Sequence, residues 1–199
     1  MSPELPFRLV LGVGFLATLV ITLHHRLRSW ASKTPLDRRQ EGRFILFTLR
    51  PAGGLLWLGV IAYLLQPAWM AWSSMLLPPW VRWSGGGFLI AGLGLLTWTL
   101  TALGTNLTDT VVTKREHALI THGPYRWVRH PFYDTMSLLV VAFALLAANW
   151  FILIAGAVVF TLLAVRARTE EAHLLARFGE PYRQYRKRTG RFLPKLSRP

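Results

Sequence analysis

Long apolar segments occupy most of this chain and alternate with shorter polar ones. A helix needs roughly 20 consecutive apolar residues to cross the ~30 Å hydrocarbon layer of a bilayer. The three longest apolar segments are Leu5–Leu23, Phe44–Leu65 and Gly85–Gly104. Two shorter ones, Thr135–Ala148 and Trp150–Val165, are separated by Asn149 and predict a helical hairpin. The pattern therefore predicts an all-α integral membrane protein with about five transmembrane helices, of which the last two form the hairpin.

The composition agrees with this pattern. Hydrophobic residues make up 52% of the 199 residues, and the mean hydropathy is +0.34. A soluble core of this length normally holds a smaller apolar share. Because no repeat, low-complexity stretch or long linker divides the sequence, we expect a single membrane domain over residues 1–199.

The basic residues predict an orientation in the membrane. Six of them lie between the first two apolar segments: Arg26, Arg28, Lys33, Arg38, Arg39 and Arg43. The next polar segment, Gln66–Ser84, has only Arg82. Basic loops stay on the cytoplasmic side, so the N-terminus is expected outside. With five spans, the C-terminus and the polar segment between the third and fourth spans are then cytoplasmic.

The formal net charge of +14 raises the question of nucleic-acid binding. Here the basic residues lie beside predicted membrane boundaries, where anionic lipid attracts each by about 1 kcal/mol. No nucleic-acid-binding motif is recognisable, so we expect no nucleic-acid partner. The chain contains no cysteine, and its six histidines show no paired ligand spacing, so no metal site is expected.

A polar segment of about thirty residues, Thr105 to Asp134, interrupts the apolar pattern. We call it the polar island. Its central string runs His122-Gly123-Pro124-Tyr125-Arg126-Trp127-Val128-Arg129-His130-Pro131-Phe132-Tyr133. Basic, aromatic and imidazole groups at this density are costly beside lipid unless they line a site. The polar island is therefore the first candidate for a functional site.

A second polar element follows the last apolar segment. Its sequence is Arg166-Ala167-Arg168-Thr169-Glu170-Glu171. Arg166 and Glu170 are four residues apart and share one helical face. Arginine before glutamate is the weaker order for a surface ion pair, which favours a role in binding something outside the helix. Downstream, Gly179 predicts a helix end before a short amphipathic helix.

These motifs resemble those of the isoprenylcysteine carboxyl methyltransferase family of membrane enzymes. The resemblance rests on three strings: His117 to Tyr125, then Arg129-His130-Pro131-Phe132-Tyr133, then Arg166 to Glu171 with Phe178-Gly179 to Tyr185. It covers roughly the last hundred residues in order and in spacing. Residues 1–104 hold the three transmembrane helices that hydropathy predicts, and they resemble the family only in being membrane helices. On this resemblance, residues 105–199 form the catalytic part, which is two more helices and a cytoplasmic tail.

The resemblance implies S-adenosylmethionine as methyl donor, with S-adenosylhomocysteine as product. The donor would lie between a cytoplasmic cofactor-binding loop and the C-terminal helical segment, and a lipidic or prenylated acceptor would enter from the bilayer. The implied cofactor-binding residues are His117, Ala118, Leu119, Ile120, Tyr125, His130, Pro131, Phe132, Tyr133, Glu170 and Glu171. Arg166 matches the family's substrate-carboxylate arginine. Asp134 departs from the family, which generally has a small residue there.

The chemistry of the acceptor distinguishes the possible roles of these residues. A carboxylate is already a nucleophile and needs only a cation to orient it, for which a guanidinium suits. Arg166 is the predicted clamp, and Arg129 and Arg191 are the predicted helpers. A phospholipid amine would instead need a base such as His130, Asp134 or Glu171. In that reading Gly92-Leu93-Gly94 and Glu170-Glu171 are the binding motifs.

Two further alternatives remain open from the sequence. Membrane sterol reductases have a similar C-terminal string and would use a nicotinamide, but Pro131 and the Glu170-Glu171 pair argue against them. A non-catalytic membrane scaffold is the other, because a motif alone does not show turnover. The roles of Arg50, inside the second span, and of Asp134 are left open.

Overall fold

The computed structural model describes residues 3–31, 45–104 and 119–195. Six α-helices follow one another: α1 (Leu5–Ala31), α2 (Arg50–Leu65), α3 (Pro79–Leu103), α4 (Pro131–Ala147), α5 (Trp150–Phe178) and α6 (Glu180–Arg188). A π-helical turn, Ile45–Leu49, leads directly into α2, and Arg50 is therefore the first residue of that helix. Two 3₁₀ segments, Pro67–Ser73 and Gly123–Arg126, connect helices. The prediction of an all-α membrane fold is confirmed.

Four of the helices are long and apolar enough to cross a membrane: Leu5–Ser29, Phe47–Leu65, Pro79–Leu103 and Trp150–Phe178. The remaining apolar helix, α4, has 17 residues. At 1.5 Å per residue it is about 25 Å long, slightly less than the hydrocarbon layer. The predicted fourth span, Thr135–Ala148, is thus a helix of the expected position and composition, but a short one.

Proline and glycine positions set several helix boundaries. α3 begins six residues before the predicted span, because Pro79 suits the first helical turn. α5 continues thirteen residues beyond the predicted end at Val165 and stops at Gly179, whose φ of 56° suits glycine. The Arg166–Glu171 element therefore lies on the same continuous helix as the last span.

The predicted hairpin between α4 and α5 is present. Asn149 caps α5 by accepting a hydrogen bond from the backbone amide of Ile152 at 3.1 Å. Its amide nitrogen donates to Ser73 Oγ at 2.7 Å and to the Met70 carbonyl at 3.2 Å. Asn149 is buried, and it fixes the hairpin turn to the 3₁₀ segment that follows α2.

The core lies between the helices, around side chains such as Leu96, Phe143 and Ile152 that are fully buried. Gly85 and Gly92 of α3 lie against α4. A Cβ at Gly85 would come within 2.9 Å of the Ala142 carbonyl oxygen, and one at Gly92 within 2.7 Å of a Leu139 methyl. Gly92 therefore permits close packing of α3 against α4.

A partly exposed ion pair joins Glu4, the residue before α1, to Arg82 of α3 at the end of the bundle opposite the polar island. Arg82 donates two hydrogen bonds to Glu4, at 2.7 and 2.8 Å, and one to the Leu146 carbonyl at 2.8 Å. Its guanidinium lies 3.8 Å from the centroid of the Phe7 ring. Arg82, the only arginine of the polar segment Gln66–Ser84, thus links Glu4 to α3 and α4.

Candidate active site

The described part of the polar island pairs with the C-terminal segment. After the 3₁₀ turn, residues 127–130 run beside residues 190–191, where Val128 and Gly190 form an isolated parallel bridge. The Gly190 amide donates to the Trp127 carbonyl at 3.1 Å, and the Arg129 and His130 amides donate to Gly190 and Arg191 at 2.9 and 3.1 Å. A Cβ at Gly190 would overlap the Leu193 carbonyl, so this turn needs glycine. The Arg129-His130 pair is therefore held against the chain's C-terminal end.

Glu171 is the buried centre of this arrangement, with 3% of its surface exposed. Its carboxylate accepts from Arg129 Nε at 2.9 Å and from Arg191 Nε and Nη2 at 3.0 and 2.8 Å. His130 Nε2 lies 3.3 Å from the same carboxylate. Arg129 also donates to the Thr189 carbonyl at 2.5 Å. The hydrogen bond to Glu171 raises the pKa of Arg191. One carboxylate thus joins the polar island, α5 and the C-terminal segment.

The contacts of Glu171 concern Arg129 and Arg191, the two residues predicted to assist Arg166. Sequence reasoning assigned Arg129 and Arg191 to an acceptor carboxylate, and Glu171 to the cofactor. In the structure the two arginines flank Glu171, which compensates their charge. Through Glu171, Arg129 and Arg191 hold the polar island and the C-terminal segment against α5. We call this arrangement the clamp.

Glu170 lies next to Glu171 in sequence but contacts different groups. The Tyr133 hydroxyl donates to it, at 2.8 Å from each carboxylate oxygen. Arg166 Nε lies 2.8 Å from Glu170 Oε1, so the two form an ion pair within α5. Arg166 and Glu170 therefore pair even though arginine before glutamate is the weaker order for an ion pair on one helix. The Tyr133 ring stacks on His130, with 5.3 Å between ring centroids. The side chains predicted to bind the donor and the acceptor therefore lie close together. They are Glu170, Tyr133, His130 and Arg166.

The other predicted residues lie around this cluster or outside the described residues. Tyr125 lies close by: its carbonyl accepts from the Tyr185 hydroxyl at 2.7 Å, and burial raises its pKa. Pro131 is buried at the start of α4, whereas Phe132 packs against the hydrophobic core. Leu119 and Ile120 are half-buried, and His117 and Ala118 lie outside the described residues.

Sequence reasoning did not anticipate Tyr182, Tyr185 and Thr189. Tyr182 and Tyr185 of the short C-terminal helix are buried within the protein. Thr189 supplies the carbonyl that Arg129 binds. The spacing of Tyr182 and Tyr185 by three residues marks one helical face, which is the signal that could have identified them.

A cavity of about 450 Å³ adjoins the cluster. Its lining is mostly apolar and includes Leu95, Trp127, Val128, Pro131, Asp134 and Phe192. The Phe192 ring also lies 5.7 Å from the His130 ring, between centroids. The cavity and the charged cluster thus share a wall.

The same region is the part of the chain that matches a known protein family. Residues 86–176 match the profile of the isoprenylcysteine carboxyl methyltransferase (ICMT) family. That range runs from α3 through the polar island to Glu170 and Glu171. The resemblance to this family is confirmed. The match includes Arg129, His130, Tyr133 and Arg166, whereas Arg191 lies beyond it.

Curated proteins and solved structures of this family are similar to the chain. A protein-S-isoprenylcysteine O-methyltransferase of Schizosaccharomyces pombe is 33% identical over 111 residues, which are 54% of this chain and 47% of the relative. One of Dictyostelium discoideum is 27% identical over 108 residues, 53% of this chain and 46% of the relative. The chain therefore spans about half the length of the curated relatives it matches.

The structure of a eukaryotic intramembrane Ras methyltransferase, ICMT, superposes with a TM-score of 0.56 at 24% identity. The superposition covers 74% of this chain and 52% of that one. At this identity the likeness shows a shared fold. Together with the apolar helices, it identifies a multi-pass integral membrane protein.

Proposed function

We propose that this protein transfers a methyl group from S-adenosylmethionine to the carboxylate of a lipid-modified, isoprenylcysteine-like acceptor at the membrane. One observation carries the proposal. Glu170, Tyr133, His130 and Arg166 meet at the junction of α4 and α5, within the segment that matches the methyltransferase family. They lie beside an apolar cavity large enough for a small ligand.

The residues at this junction fit a cationic methyl donor. S-adenosylmethionine supplies an electrophilic methyl group on a sulfonium and also carries an ammonium. Glu170 is a carboxylate with 19% of its side chain exposed, which suits binding of an ammonium group. The stacked Tyr133 and His130 rings offer aromatic faces, which attract cations. We assign these three residues to the donor, with Tyr125 beside them.

Arg166 is the residue we assign to the acceptor. Its ion pair with Glu170 places a guanidinium next to the predicted donor group. A guanidinium orients a carboxylate through its planar fork, and a carboxylate nucleophile needs no general base. Arg129 and Arg191 are instead paired with Glu171, which joins the polar island to the C-terminal segment and which we do not assign to the donor. The protein's own contribution to the reaction is then to position the two partners and to exclude water.

The family match favours carboxyl methylation over the other readings. Both curated relatives are named O-methyltransferases, which supports an oxygen acceptor rather than a phospholipid amine or a nicotinamide-dependent reduction. The basic residues near the predicted membrane boundaries support a cytoplasmic active site and C-terminus, with the N-terminus outside.

Binding of the product tests the donor site. We expect purified protein in detergent to bind S-adenosylhomocysteine in calorimetry, and Glu170→Ala to abolish this binding, since the ligand ammonium loses its counter-ion. Glu180→Ala is the matched control, because Glu180 is an exposed carboxylate in a surface pair with Arg183. Tight binding of NADPH with none of S-adenosylhomocysteine would refute the proposal.

Turnover tests the acceptor site. With labelled donor, we expect methylation of N-acetyl-S-farnesylcysteine and none of phosphatidylethanolamine. Arg166→Ala should lower kcat/KM about 10- to 100-fold, as expected for a lost hydrogen bond to a charged group, and leave donor binding nearly intact. Arg183→Ala, at an exposed arginine, is the control. A normal rate in Arg166→Ala would show that Arg166 does not hold the acceptor.

A further inference from the structure

Asp134 is the one charged residue among the described residues that line the cavity of about 450 Å³. It lies in the first turn of α4, immediately after Tyr133. The other lining residues are apolar, among them Trp127 of the polar island and Phe192 of the C-terminal segment. In a mostly apolar cavity, a single polar side chain determines how a ligand is oriented and which ligand is bound.

The apolar walls of this cavity come from membrane-spanning segments. Leu95 lines the cavity and lies eight residues before Leu103, where α3 ends, which is about 12 Å along the helix. The ring of Phe192 packs on the ring of Phe160 in the apolar part of α5, with 5.3 Å between centroids. The cavity can therefore hold a hydrocarbon chain, and Asp134 is the polar group at its edge.

The carboxylate of Asp134 differs from those of the other acidic residues in the described ranges. Glu4, Glu170, Glu171 and Glu180 each form an ion pair with an arginine. For Asp134, within residues 3–31, 45–104 and 119–195, the structure records a backbone hydrogen bond from its amide to the His130 carbonyl but no side-chain partner. The residue is half-buried, and a half-buried carboxylate without a hydrogen-bond donor is costly.

The donors nearest to Asp134 along the chain are already engaged. Arg129 and His130 contact Glu171, and Arg126 lies 3.8 Å above the Trp127 ring. A first helical turn favours a negative charge, but this field does not supply a hydrogen bond to the carboxylate oxygens. A ligand in the cavity can supply that donor.

The proposed acceptor carries a suitable donor beside its carboxylate. The nitrogen of a cysteine within a protein belongs to a peptide bond, so it offers an uncharged N–H. This nitrogen and the carboxylate are attached to the same carbon atom, so the groups that bind them must be neighbours. Asp134 fulfils this condition, because the preceding residue, Tyr133, donates to Glu170, the ion-pair partner of Arg166.

We propose that Asp134 accepts a hydrogen bond from the peptide N–H of the acceptor cysteine, with the acceptor's apolar chain in the cavity against Trp127 and Phe192. The proposal rests on the proposed function and assigns a specificity-determining residue to its acceptor. The hydrogen bond is charge-assisted, since its acceptor group is a carboxylate. Asp134 selects a cysteine joined to a peptide through its nitrogen over a lipidic carboxylate without this N–H, while Arg166 orients the carboxylate.

Binding without turnover tests the role of Asp134 by itself. N-acetyl-S-farnesylcysteine and its ester isostere, in which an oxygen atom replaces the amide N–H, differ in this one donor. The assay uses phosphatidylcholine nanodiscs at about pH 8, above the ordinary pKa of a carboxyl group. We expect the amide to bind about tenfold more tightly than the ester, the size expected of a hydrogen bond to a charged group, after subtraction of binding to empty nanodiscs.

Two substitutions of Asp134 should change this preference by different amounts. Asp134→Asn keeps a neutral oxygen that accepts about half as strongly, so the preference should fall to about threefold. Asp134→Ala removes the acceptor and should abolish the preference. Glu180→Gln is the matched control and should retain it, because Glu180 is an exposed carboxylate that does not line the cavity.

Turnover then distinguishes specificity from a structural role. We expect kcat/KM for the amide to exceed that for the ester about tenfold, mainly through KM, and the ratio to fall in the two Asp134 variants in the same order as in binding. The affinity for S-adenosylhomocysteine should stay unchanged in both variants. An amide preference that persists in Asp134→Ala, or loss of S-adenosylhomocysteine binding in Asp134→Asn, overturns the proposal. If the wild type does not bind S-adenosylhomocysteine but its amide preference follows Asp134, the cavity assignment stands and the methyltransferase proposal fails.

Discussion

Replacing Glu171 by glutamine should loosen the whole C-terminal part of the site. The substitution keeps the side-chain shape but removes the negative charge that Arg129, His130 and Arg191 share. Removing one partner of a buried ion pair typically costs about 3–5 kcal/mol, because the other charge is left uncompensated.

The exposed fractions of the two arginine side chains place this substitution within that range. Arg129 has 9% of its side chain exposed and cannot reach water without a rearrangement, whereas Arg191 has 32% exposed and can turn outward. We therefore expect Glu171→Gln to lower the free energy of unfolding by about 3 kcal/mol, the lower end of this range. For a chain of this size it corresponds to a fall in Tm of about 6–12 °C.

Two measurements check this expectation. Thermal unfolding in detergent gives Tm, and the rate of tryptic cleavage near the C-terminus reports whether residues 189–191 have been released. Glu180→Gln is the matched control, since Glu180 and Arg183 are 57% and 64% exposed and such pairs contribute at most about 1 kcal/mol. If Glu171→Gln had the Tm and cleavage rate of the wild type, the assignment of Glu171 as the clamp would be refuted.

Two other substitutions test the helix packing and the C-terminal helix. Gly85→Ala should lower stability by about 1–3 kcal/mol, because the new Cβ would meet the backbone of α4 at 2.9 Å. Gly94→Ala, with nothing within 4 Å, should be neutral or stabilising. Tyr185→Phe should cost about 0.5–1.5 kcal/mol by removing the hydrogen bond to the Tyr125 carbonyl. Tyr182→Phe should be neutral or stabilising, since its buried hydroxyl has no hydrogen-bond partner in the described residues.

Thermal unfolding in one detergent reports on all four variants. If Gly85→Ala and Gly94→Ala had the same Tm, the close approach of Gly85 to α4 would not contribute to stability. Equal Tm values for the two tyrosine variants would show that the Tyr185 hydroxyl does not stabilise the site.

Hydropathy alone predicted the five apolar helices and their order. Apolar and polar segments can be read directly along the chain, and a bilayer requires each span to have a minimum length. The turn at Asn149 was predictable for the same reason, because a single polar residue divides two apolar segments. The start of α5 at Trp150 was predicted, but its C-terminal end was not. Residues 166–178 are too polar to extend an apolar segment, yet most of them favour helix, so the helix continues beyond the apolar residues.

The sequence also placed the candidate site in the polar island and on the Arg166–Glu171 element. Groups that are costly beside lipid occur in only a few strings of an apolar chain, so they are conspicuous without a structure. The family resemblance added the donor and acceptor roles, which stay predictions for the individual residues.

Only the tertiary structure decided which charges pair. Glu171 binds Arg129, 42 residues before it, and Arg191, 20 residues after it. No local pattern encodes these contacts, because they depend on how α5 packs against α4 and on the pairing of residues 127–130 with residues 190–191. The same packing separates Glu170 from Glu171 and leaves Asp134 in an apolar cavity. The sequence determined where polar groups would gather, and the folded helices determined which of them pair with one another and which line the cavity.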